Sequence, residues 1–573
     1  MQKQIYLFMS FLVSLLFLSS CANEANQSFV DPINYSIVKK VNVENAAVVS
    51  AHPLASEIGK LILEKGGNAI DASIAMQYAL AVVYPNAGNI GGGGFMVIHD
   101  NEGNNHSIDF REKAPSAAFK DMYLDEEGNA VAAISQDGHL SAGVPGTVAG
   151  LFLAHQKFGR LPMKDLVAPA IKLAKEGFAI TEREAKGLER VANDFQKYNT
   201  ATPVFLKEEK WQVGDILIQK DLGNTLQRIS DEGQAGFYEG EVADLIVAEM
   251  QRGGGIITKE DLQNYQAVER EPVQFLYKDY DIVSMGLPSS GGVLLQQMMG
   301  MLEAYPIKDY GFHSPEAVQL MVEISRRAYA DRTEHMGDPD FVSVPIEKLL
   351  DKDYILQRMS DFTPGKPTGS SAVQAGLTQK NEKEETTHLS VVDEEGNAVS
   401  VTTTLNGAYG SRVIVGGAGF ILNNEMDDFS AKPGAPNMYG LLGTESNAIE
   451  PGKRMLSSMT PTIVLKDKKP YLVLGTPGGS TILTSVFQTL INILEFDLSV
   501  EDAVNKPKFH HQWQPDLIYI EPDFSKSLKK DLEEIGYKFK ERGPIGRTDV
   551  IKVTDNGVEA VGDKRGDDSA AGY

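Results

Sequence analysis

A long polar segment runs directly into a strongly patterned β-hairpin in the second half of the chain. Residues 364–385 read PGKPTGSSAVQAGLTQKNEKEE and are almost without apolar periodicity. Such a composition buries too little apolar surface to offset the entropy of ordering it, so we predict a mobile, exposed linker. The β-branched runs TTHLSVVD and AVSVTTTL follow at once, joined by the turn signal DEEGN. They predict a strand hairpin that begins at Thr386.

A threonine at the start of a strand, behind a dispensable linker, has a specific chemical use. If the peptide bond after Glu385 is cut, the freed α-amine of Thr386 can act as the base for the hydroxyl of the same residue. The alternative is that threonine stands here because β-branched residues favour strands. The hairpin alone leaves both interpretations open.

The composition limits the class of protein. The chain has 573 residues, of which 42% are hydrophobic and 23% charged, and it is long enough for two or more domains or one large α/β body. Its formal net charge is -24 and it has no basic stripe, which argues against a nucleic-acid partner. The ten histidines are scattered without metal-binding spacing, so no metal site is expected.

Residues 1–20 have the pattern of an export signal. Lys3 precedes an apolar run, Ile5 to Leu18, which is too short for a normal membrane-spanning helix of about 20 residues. Cys21, the only cysteine, follows the triplet LSS, a pattern that resembles a bacterial lipobox, in which the cysteine is acylated. Ordinary secretory cleavage after Ala22 is the alternative.

We therefore expect an exported lipoprotein, in the periplasm or at the cell surface. Its contact with the membrane would be limited to the lipid anchor at Cys21. Residues 21–45 are expected to form a short polar tether between this anchor and the folded body.

Two features of the N-terminal half could bind a ligand. Four consecutive glycines, Gly91 to Gly94, precede an apolar strand, whereas a phosphate-binding loop follows a strand, opens a helix and carries a lysine, so close backbone packing is preferred. Arg111 ends the strand pattern HSIDFREK. Its usual role would be a solvated charge or an ion pair, and a ligand carboxylate is the alternative. The whole pattern is mixed α/β without the spacing of a dinucleotide-binding fold.

Short polar clusters follow the hairpin. They are Thr404 and Asn406, Glu425 and Asp428, Ser457 and Ser458, and Gly478 and Gly479. Together they offer acceptors for an ammonium group, hydroxyls for a carboxylate and backbone amides for an oxyanion. With a threonine nucleophile, this is the equipment of an acyl-transfer site that recognises an amino acid.

The order of the motifs resembles the γ-glutamyltransferase (γ-glutamyltranspeptidase) family of N-terminal-nucleophile hydrolases. The likeness runs from about residue 45 to the end and rests on NAIDASIA, GNIGGGGFM, DFREKAP, TTHLSVVD, TTTLN, NNEMDDFS, SSMTP and GTPGGS. The resemblance implies an α+β fold, the four-layer αββα sandwich, with Thr386 at the start of an inner strand. It also implies autocleavage between Glu385 and Thr386 into a large subunit, 46–385, and a small subunit, 386–573, which remain associated as a heterodimer.

The same resemblance assigns catalytic roles. Thr386 would be both the self-processing residue and the nucleophile, with its own α-amine as base, and Thr404 would hydrogen-bond the nucleophile. The amides of Gly478 and Gly479 would stabilise the oxyanion. His388 is expected to be structural, and no cofactor is needed.

The resemblance also assigns a donor-binding set. The residues that would hold the donor's α-carboxylate are Arg111, Ser457 and Ser458, and those that would hold its α-ammonium are Asn406, Glu425 and Asp428. Some bacterial relatives carry Gln where Glu425 stands, a change that keeps an acceptor and adds a negative charge here. The loop from Ser430 to Ile449 would act as a lid, with Tyr439 covering the glutamyl pocket.

The leading hypothesis is an enzyme that transfers the γ-glutamyl group of glutathione and related compounds to water, amino acids or peptides. A second is an acylase for cephalosporin side chains or a poly-γ-glutamate depolymerase, which the presence of both Arg111 and Asp428 disfavours because a non-amino-acid donor needs no ammonium clamp. A third is a surface lipoprotein that binds γ-glutamyl peptides without turnover, which the presence of the nucleophile and the glycines disfavours.

Overall fold

The computed structural model describes residues 30–373 and 386–573. Residues Pro32–Tyr573 form one unit, and the other unit, Met1–Asp31, is described only at its last two residues. Several predicted features therefore lie outside the described residues. They are the signal peptide, Cys21, the first part of the tether, and linker residues 374–385, which include Glu385.

The strands of the described residues, in chain order, are β1 (Lys40–Val43), β2 (Ala47–Ser50), β3 (Gly93–His99), β4 (Asn105–Asp109), β5 (Phe178–Ala179), β6 (Ile216–Leu217), β7 (Val268–Arg270), β8 (Val273–Tyr277), β9 (Tyr280–Ser284), β10 (Thr387–Val392), β11 (Ala398–Thr404), β12 (Thr462–Lys466), β13 (Lys469–Gly475), β14 (Phe509–His510), β15 (Ile518–Ile520), β16 (Phe539–Glu541), β17 (Asp549–Thr554), β18 (Gly557–Val561) and β19 (Ser569–Gly572).

The helices are α1 (Pro53–Glu64), α2 (Ala69–Val83), α3 (Ala132–Gln136), α4 (Thr147–Phe158), α5 (Met163–Glu176), α6 (Glu182–Tyr198), α7 (Lys220–Glu232), α8 (Ala235–Tyr238), α9 (Gly240–Gly253), α10 (Lys259–Gln263), α11 (Gly291–Leu302), α12 (Ile307–Tyr310), α13 (Pro315–His335), α14 (Ile346–Leu349), α15 (Lys352–Gln357), α16 (Thr481–Leu494), α17 (Val500–Asn505) and α18 (Lys526–Glu534). Among residues 30–373 and 386–573, no helix combines the length and apolar character that crossing a membrane requires.

Two seven-stranded antiparallel sheets form the centre of the fold. The first has the strand order β19-β2-β10-β11-β3-β4-β7 and the second β1-β18-β17-β13-β12-β9-β8. Apolar side chains from both sheets meet between them, including Val97, Ile463 and Ile551. Each such buried side chain stabilises the fold by about 1.5–3 kcal/mol relative to exposure.

Helices cover the outer faces of both sheets. Helices α1 and α2 pack on the first sheet, and α11, α13 and α16 belong to the apolar core that covers the second. The expected four-layer αββα sandwich is confirmed.

The predicted hairpin lies in the middle of the first sheet. Strand β10 pairs with β2 on one side and β11 on the other, and every residue of β10 is buried. The turn after β10 is tied to helix α2, because Asp393 accepts hydrogen bonds from Asn397 N and, at 2.8 Å, from Ala69 N. A capping box between Asn68 and Asp71 starts that helix. The NAIDASIA motif thus holds the hairpin in place.

The predicted tether must be shortened. Lys40–Val43 is strand β1, paired antiparallel with β18 at the edge of the second sheet. The sequence KVNV alternates too briefly to announce a strand, and its partner lies some five hundred residues away, as the pairing of Lys40 with Val561 shows. A tether reaching residue 45 is therefore wrong at its C-terminal end.

The first part of the predicted linker is anchored at two residues, although most of residues 364–373 are exposed as expected. Ser370 Oγ donates to the carbonyl of Trp513 at 2.6 Å, and Trp513 Nε1 donates to the carbonyls of Ser370 and Val373 at 3.1 and 2.9 Å. Ser370 and Val373 are both buried. Composition alone could not reveal these contacts, because the partner of this polar segment is the indole of Trp513, far along the chain.

Candidate active site

Thr386 immediately precedes β10 and is 3% exposed. The antiparallel register pairs Thr387 with Thr403, so continuing it by one residue places Thr404 opposite Thr386. The hydroxyl of Thr404 accepts a hydrogen bond from the backbone N–H of Asn406 at 2.7 Å. Because that bond uses an oxygen lone pair, the hydroxyl proton of Thr404 remains available to a neighbour such as the Thr386 oxygen.

A small recess opens beside Thr386. Every sequence-predicted catalytic or donor-binding residue except Gly478 lines it, namely Arg111, Thr386, Thr404, Asn406, Glu425, Asp428, Tyr439, Ser457, Ser458 and Gly479. Four further residues complete the lining, which are Arg332, Leu441, Met459 and Ile482. Residues scattered from position 111 to position 479 are thereby brought to one place.

Gly478 and Gly479 lie between the end of β13 and the start of α16. Both have positive φ, 137° and 49°, and Thr481 N donates to the carbonyl of Gly478 at 2.8 Å. A Cβ at position 479 would stand 2.7 Å from a ring carbon of Tyr439, so only glycine fits. Backbone amides at a helix start lack intrahelical partners and carry positive partial charge, which suits an oxyanion.

Arg111, which also lines the recess, is fully buried. Its guanidinium donates to Glu425 and, at 2.5 Å, to Asp428 Oδ2, while Nε donates to the carbonyl of Met455 at 3.2 Å. The sequence left open whether Arg111 is a solvated charge, a member of an ion pair or a ligand for a carboxylate. In the structure it forms a buried ion pair. The two carboxylates are held by a short 3₁₀ helix, Glu425–Asp428.

Burial makes these charges costly. It raises the pKa of Glu425 well above its ordinary value and also raises that of Asp428, with the Arg111 guanidinium opposing both shifts. The neighbouring carboxyl of Glu112 has its pKa raised to about 8 by burial. A ligand that brings its own ammonium and carboxylate would give each of these buried charges an additional partner.

Three buried polar atoms in this recess have no hydrogen-bond partner among residues 30–373 and 386–573. They are Asn406 Oδ1, Glu425 Oε2 and Ser458 Oγ. Leaving a buried polar atom unpaired costs about 1–3 kcal/mol, so such atoms call for an explanation. Two acceptors and one hydroxyl match an ammonium and a carboxylate carried by one ligand.

The loop from Ser430 to Ile449 contributes Tyr439 and Leu441 to the lining of the recess. The Tyr439 hydroxyl donates to the carbonyl of Asn406 at 2.7 Å, and Gln512 Nε2 donates to the carbonyl of Tyr439 at 3.1 Å. Asn437 connects the loop to the acidic pair, since its Nδ2 donates to Asp428 Oδ1 at 2.9 Å and its Oδ1 accepts from Tyr439 N at 3.0 Å. The sequence did not identify Asn437, because nothing distinguishes it from other polar loop residues.

His388 lies one strand position beyond this region and is absent from the lining of the recess. Its ring nitrogens hydrogen-bond Thr402 Oγ1 and Ser390 Oγ, both at 2.9 Å, and burial lowers its pKa to about 3. The imidazole is therefore neutral at ordinary pH, and it has the structural role of hydrogen-bonding neighbouring side chains of β10 and β11. Among the residues that the structure describes, no three His, Cys, Asp or Glu side chains are grouped to hold a metal ion.

Comparisons with known proteins agree with this arrangement. The family model described as gamma-glutamyltranspeptidase matches residues 55–573. The chain is 44% identical to the glutathione hydrolase proenzyme of Escherichia coli (strain K12) over 98% of both chains, and 47% identical to that of Pseudomonas sp. (strain A14) over 91% of both.

Solved structures show the same fold. A cephalosporin acylase from Bacillus halodurans matches with a TM-score of 0.81 at 25% identity, covering 96% of this chain and 99% of that chain. A γ-glutamyltranspeptidase chain from Helicobacter pylori matches with a TM-score of 0.56 at 48% identity, covering 58% of this chain and 95% of that chain. With its motifs, its recess and its sandwich fold, this chain belongs to the γ-glutamyltranspeptidase family of enzymes, within the N-terminal-nucleophile hydrolases.

Proposed function

We propose that the protein hydrolyses glutathione and other γ-glutamyl compounds and can pass the γ-glutamyl group to amino acids or peptides. The observation that carries the proposal is one recess that is lined both by Thr386 and by a buried set of opposite charges. Relatives named glutathione hydrolase proenzyme support the same activity.

The first step is self-cleavage of the bond between Glu385 and Thr386, which creates the catalytic amine. The Thr386 hydroxyl attacks the carbonyl carbon of the preceding residue, the peptide bond breaks, and water hydrolyses the resulting ester. The fold keeps the two products together, since β10 and β11 from the C-terminal fragment pair with β2 and β3 from the N-terminal one. Large and small subunits, 46–385 and 386–573, would thus remain a heterodimer.

Turnover uses the same hydroxyl. Thr386 Oγ attacks the γ-carbonyl carbon of the donor while the α-amine accepts its proton, and the amides of Gly478 and Gly479 stabilise the tetrahedral oxyanion. The carbon–nitrogen bond then breaks, and the leaving amine takes the proton back from the α-ammonium. Water or an acceptor amine attacks the γ-glutamyl ester and frees Thr386. Thr404 donates a hydrogen bond that orients the nucleophile.

The charged end selects the donor. Arg111, Ser457 and Ser458 would bind the α-carboxylate. Ser457 Oγ accepts a hydrogen bond from Met459 N at 3.1 Å, which leaves its proton for a ligand. A matching acceptor set would bind the α-ammonium, made of Asn406, Glu425 and Asp428. With both α-groups held, only the γ-carbonyl reaches Thr386, which explains selectivity for the γ-linkage.

Replacing Thr386 with valine tests the activity directly. Thr386→Val keeps the side-chain volume but removes the hydroxyl, so release of glutamate from glutathione should fall to background. Thr387→Val is the matched control, because the buried Thr387 hydroxyl has no hydrogen-bond partner in the described residues and its loss should leave the rate within about threefold. Glutathione hydrolysis by Thr386→Val at more than a few per cent of the unaltered rate contradicts the proposal.

An acylase for a donor without an ammonium group is the second candidate, and the structural match to a cephalosporin acylase favours it. The two carboxylates, Glu425 and Asp428, argue the other way, because a glutaryl donor gives them no partner. Rates on γ-glutamyl-p-nitroanilide and glutaryl-p-nitroanilide separate the two, and faster cleavage of the glutaryl compound identifies the acylase.

We also propose that the protein is exported and acylated at Cys21, which would anchor it on the periplasmic or cell-surface side of a membrane. The support is the sequence pattern of residues 1–21. Cys21→Ala should move the protein from the membrane fraction to the soluble fraction and abolish labelling with radioactive palmitate. Equal labelling of both forms contradicts the anchor.

A further inference from the structure

A second buried arginine lines the recess and has no role in the mechanism described so far. Arg332 lies near the end of α13, is 4% exposed, and its Nε donates to Ser290 Oγ at 3.2 Å. Within residues 30–373 and 386–573, no carboxylate oxygen lies within 4.0 Å of its guanidinium. Its positive charge therefore faces the recess without an ion-pair partner.

Arg111 differs from Arg332 in this respect. Two carboxylates, Glu425 and Asp428, already bond to the guanidinium of Arg111. Burial of Arg332 lowers its pKa, with the more distant Asp428 as an opposing influence. A buried guanidinium without a partner is costly, and an anion entering the recess would relieve that cost.

The contacts of Arg332 connect it to Ser457, one of the residues that would hold the donor's carboxylate. Ser290, which accepts from Arg332, donates through its hydroxyl and its backbone N–H to the carbonyl of Ser457, both at 2.9 Å. The unpaired hydroxyl of Ser458 follows directly in the chain. A cation and a free hydroxyl donor thus stand on the side where a carboxylate would be bound.

We propose that Arg332 is a specificity-determining residue whose guanidinium binds the α-carboxylate of the acyl donor. This inference rests on the proposed function and deepens it. Arg111 binds the same carboxylate while it also holds the acidic residues that receive the ammonium, and Arg332 adds a second positive charge that has no ion-pair partner of its own. The recess then selects donors that carry a carboxylate on the carbon bearing the ammonium.

The test compares two donors that differ only in that carboxylate, γ-glutamyl-p-nitroanilide and 4-aminobutanoyl-p-nitroanilide. Arg332→Gln should lower kcat/KM for the γ-glutamyl donor about 10- to 100-fold, mainly through KM, because a charged hydrogen bond to the substrate is lost. The 4-aminobutanoyl donor, which has no carboxylate to lose, should change less than about threefold. An equal fall for both donors, or no fall for either, overturns the inference, because a purely structural role would not discriminate between them.

Two further variants keep the test decisive. Arg358→Gln removes an arginine that pairs with Asp331 outside the recess, and it should leave the ratio of the two donors unchanged. Arg332→Lys keeps the charge but loses the planar fork, so the ratio should fall by only about 3- to 10-fold. If Arg332→Gln fails to mature, the lysine variant decides, and an unchanged ratio there overturns the inference.

The proposed function and the inference can fail separately. No cleavage of γ-glutamyl-p-nitroanilide by the unaltered protein contradicts the proposed function. In that case calorimetric titration of L-glutamate and 4-aminobutyrate into the unaltered protein and Arg332→Gln decides the inference. A preferential loss of glutamate binding supports it, and equal affinities in both proteins overturn it.

Discussion

The residues of the site fall into two groups, which we call its reactive end and its recognition end, and the two groups are built in different ways. The reactive end consists of Thr386, Thr404 and the Gly478–Gly479 turn, and it contains no charged side chain of its own. Strand register and backbone conformation place its groups. The recognition end consists of Arg111, Arg332 and two carboxylates, and long-range ion pairs hold it together. The backbone thus positions the groups that react, and charged side chains determine which substrate is bound.

The largest expected effect follows from disturbing the backbone at the reactive end. Gly479→Ala should lower kcat about 10²- to 10³-fold, because the added methyl group collides with Tyr439 and displaces an oxyanion donor. Gly103→Ala is the control, since Gly103 also has positive φ, 90°, but nothing lies near its Cβ. Steady-state hydrolysis of γ-glutamyl-p-nitroanilide measures both. Equal losses in the two variants would show that strain alone, and not the oxyanion site, is responsible.

A change at the recognition end should act on binding instead. Asp428→Asn removes a negative charge that pairs with Arg111 and would receive the ammonium, so KM for γ-glutamyl-p-nitroanilide should rise about 10- to 100-fold. The glutaryl donor, which lacks the ammonium, should be affected far less. A loss confined to kcat, or equal for both donors, would contradict the division between the two ends.

The smallest expected effect concerns the neutral histidine beside the nucleophile. The His388 imidazole has a pKa of about 3 in the folded protein against an ordinary value of 6.5, so between about pH 3 and pH 6.5 the unfolded chain binds more of this proton than the folded protein does. The stability that this neutral imidazole contributes is fully present above pH 6.5 and is lost as the pH falls toward 3. At pH 5 the loss in the free energy of unfolding amounts to about 2 kcal/mol.

His388→Gln isolates this contribution from that of the other buried histidines. The free energy of unfolding, from urea titrations at pH 7 and pH 5, should fall less steeply with pH in the variant than in the unaltered protein. Identical slopes would mean that the His388 imidazole binds its proton equally well in the folded and the unfolded protein, and would contradict its neutral, buried state.

Local signals in the sequence locate the residues of the reactive end, whereas their catalytic roles were expected from the family resemblance. A polar run followed by TTHLSVVD locates Thr386, and a glycine pair before an apolar helix locates the turn at Gly478. Arg332 and Asn437 could not be found, since each takes its meaning from a distant contact, the first with Ser290 and the second with Asp428.

Flexible segments were the other source of error, for the same reason. Residues 364–373 are polar in composition, yet the carbonyls of Ser370 and Val373 accept hydrogen bonds from the buried indole of Trp513. Lys40–Val43 is a strand only because β18 pairs with it. Composition describes what a segment prefers alone, and neither segment is alone in the fold.

Intact-mass spectrometry of the purified, active protein tests the central claim most directly. The account predicts two polypeptides from one precursor, the smaller one beginning at Thr386 with a free amino group. A single unbroken chain that releases glutamate from glutathione would contradict it, because Thr386 would then have no α-amine to act as its base.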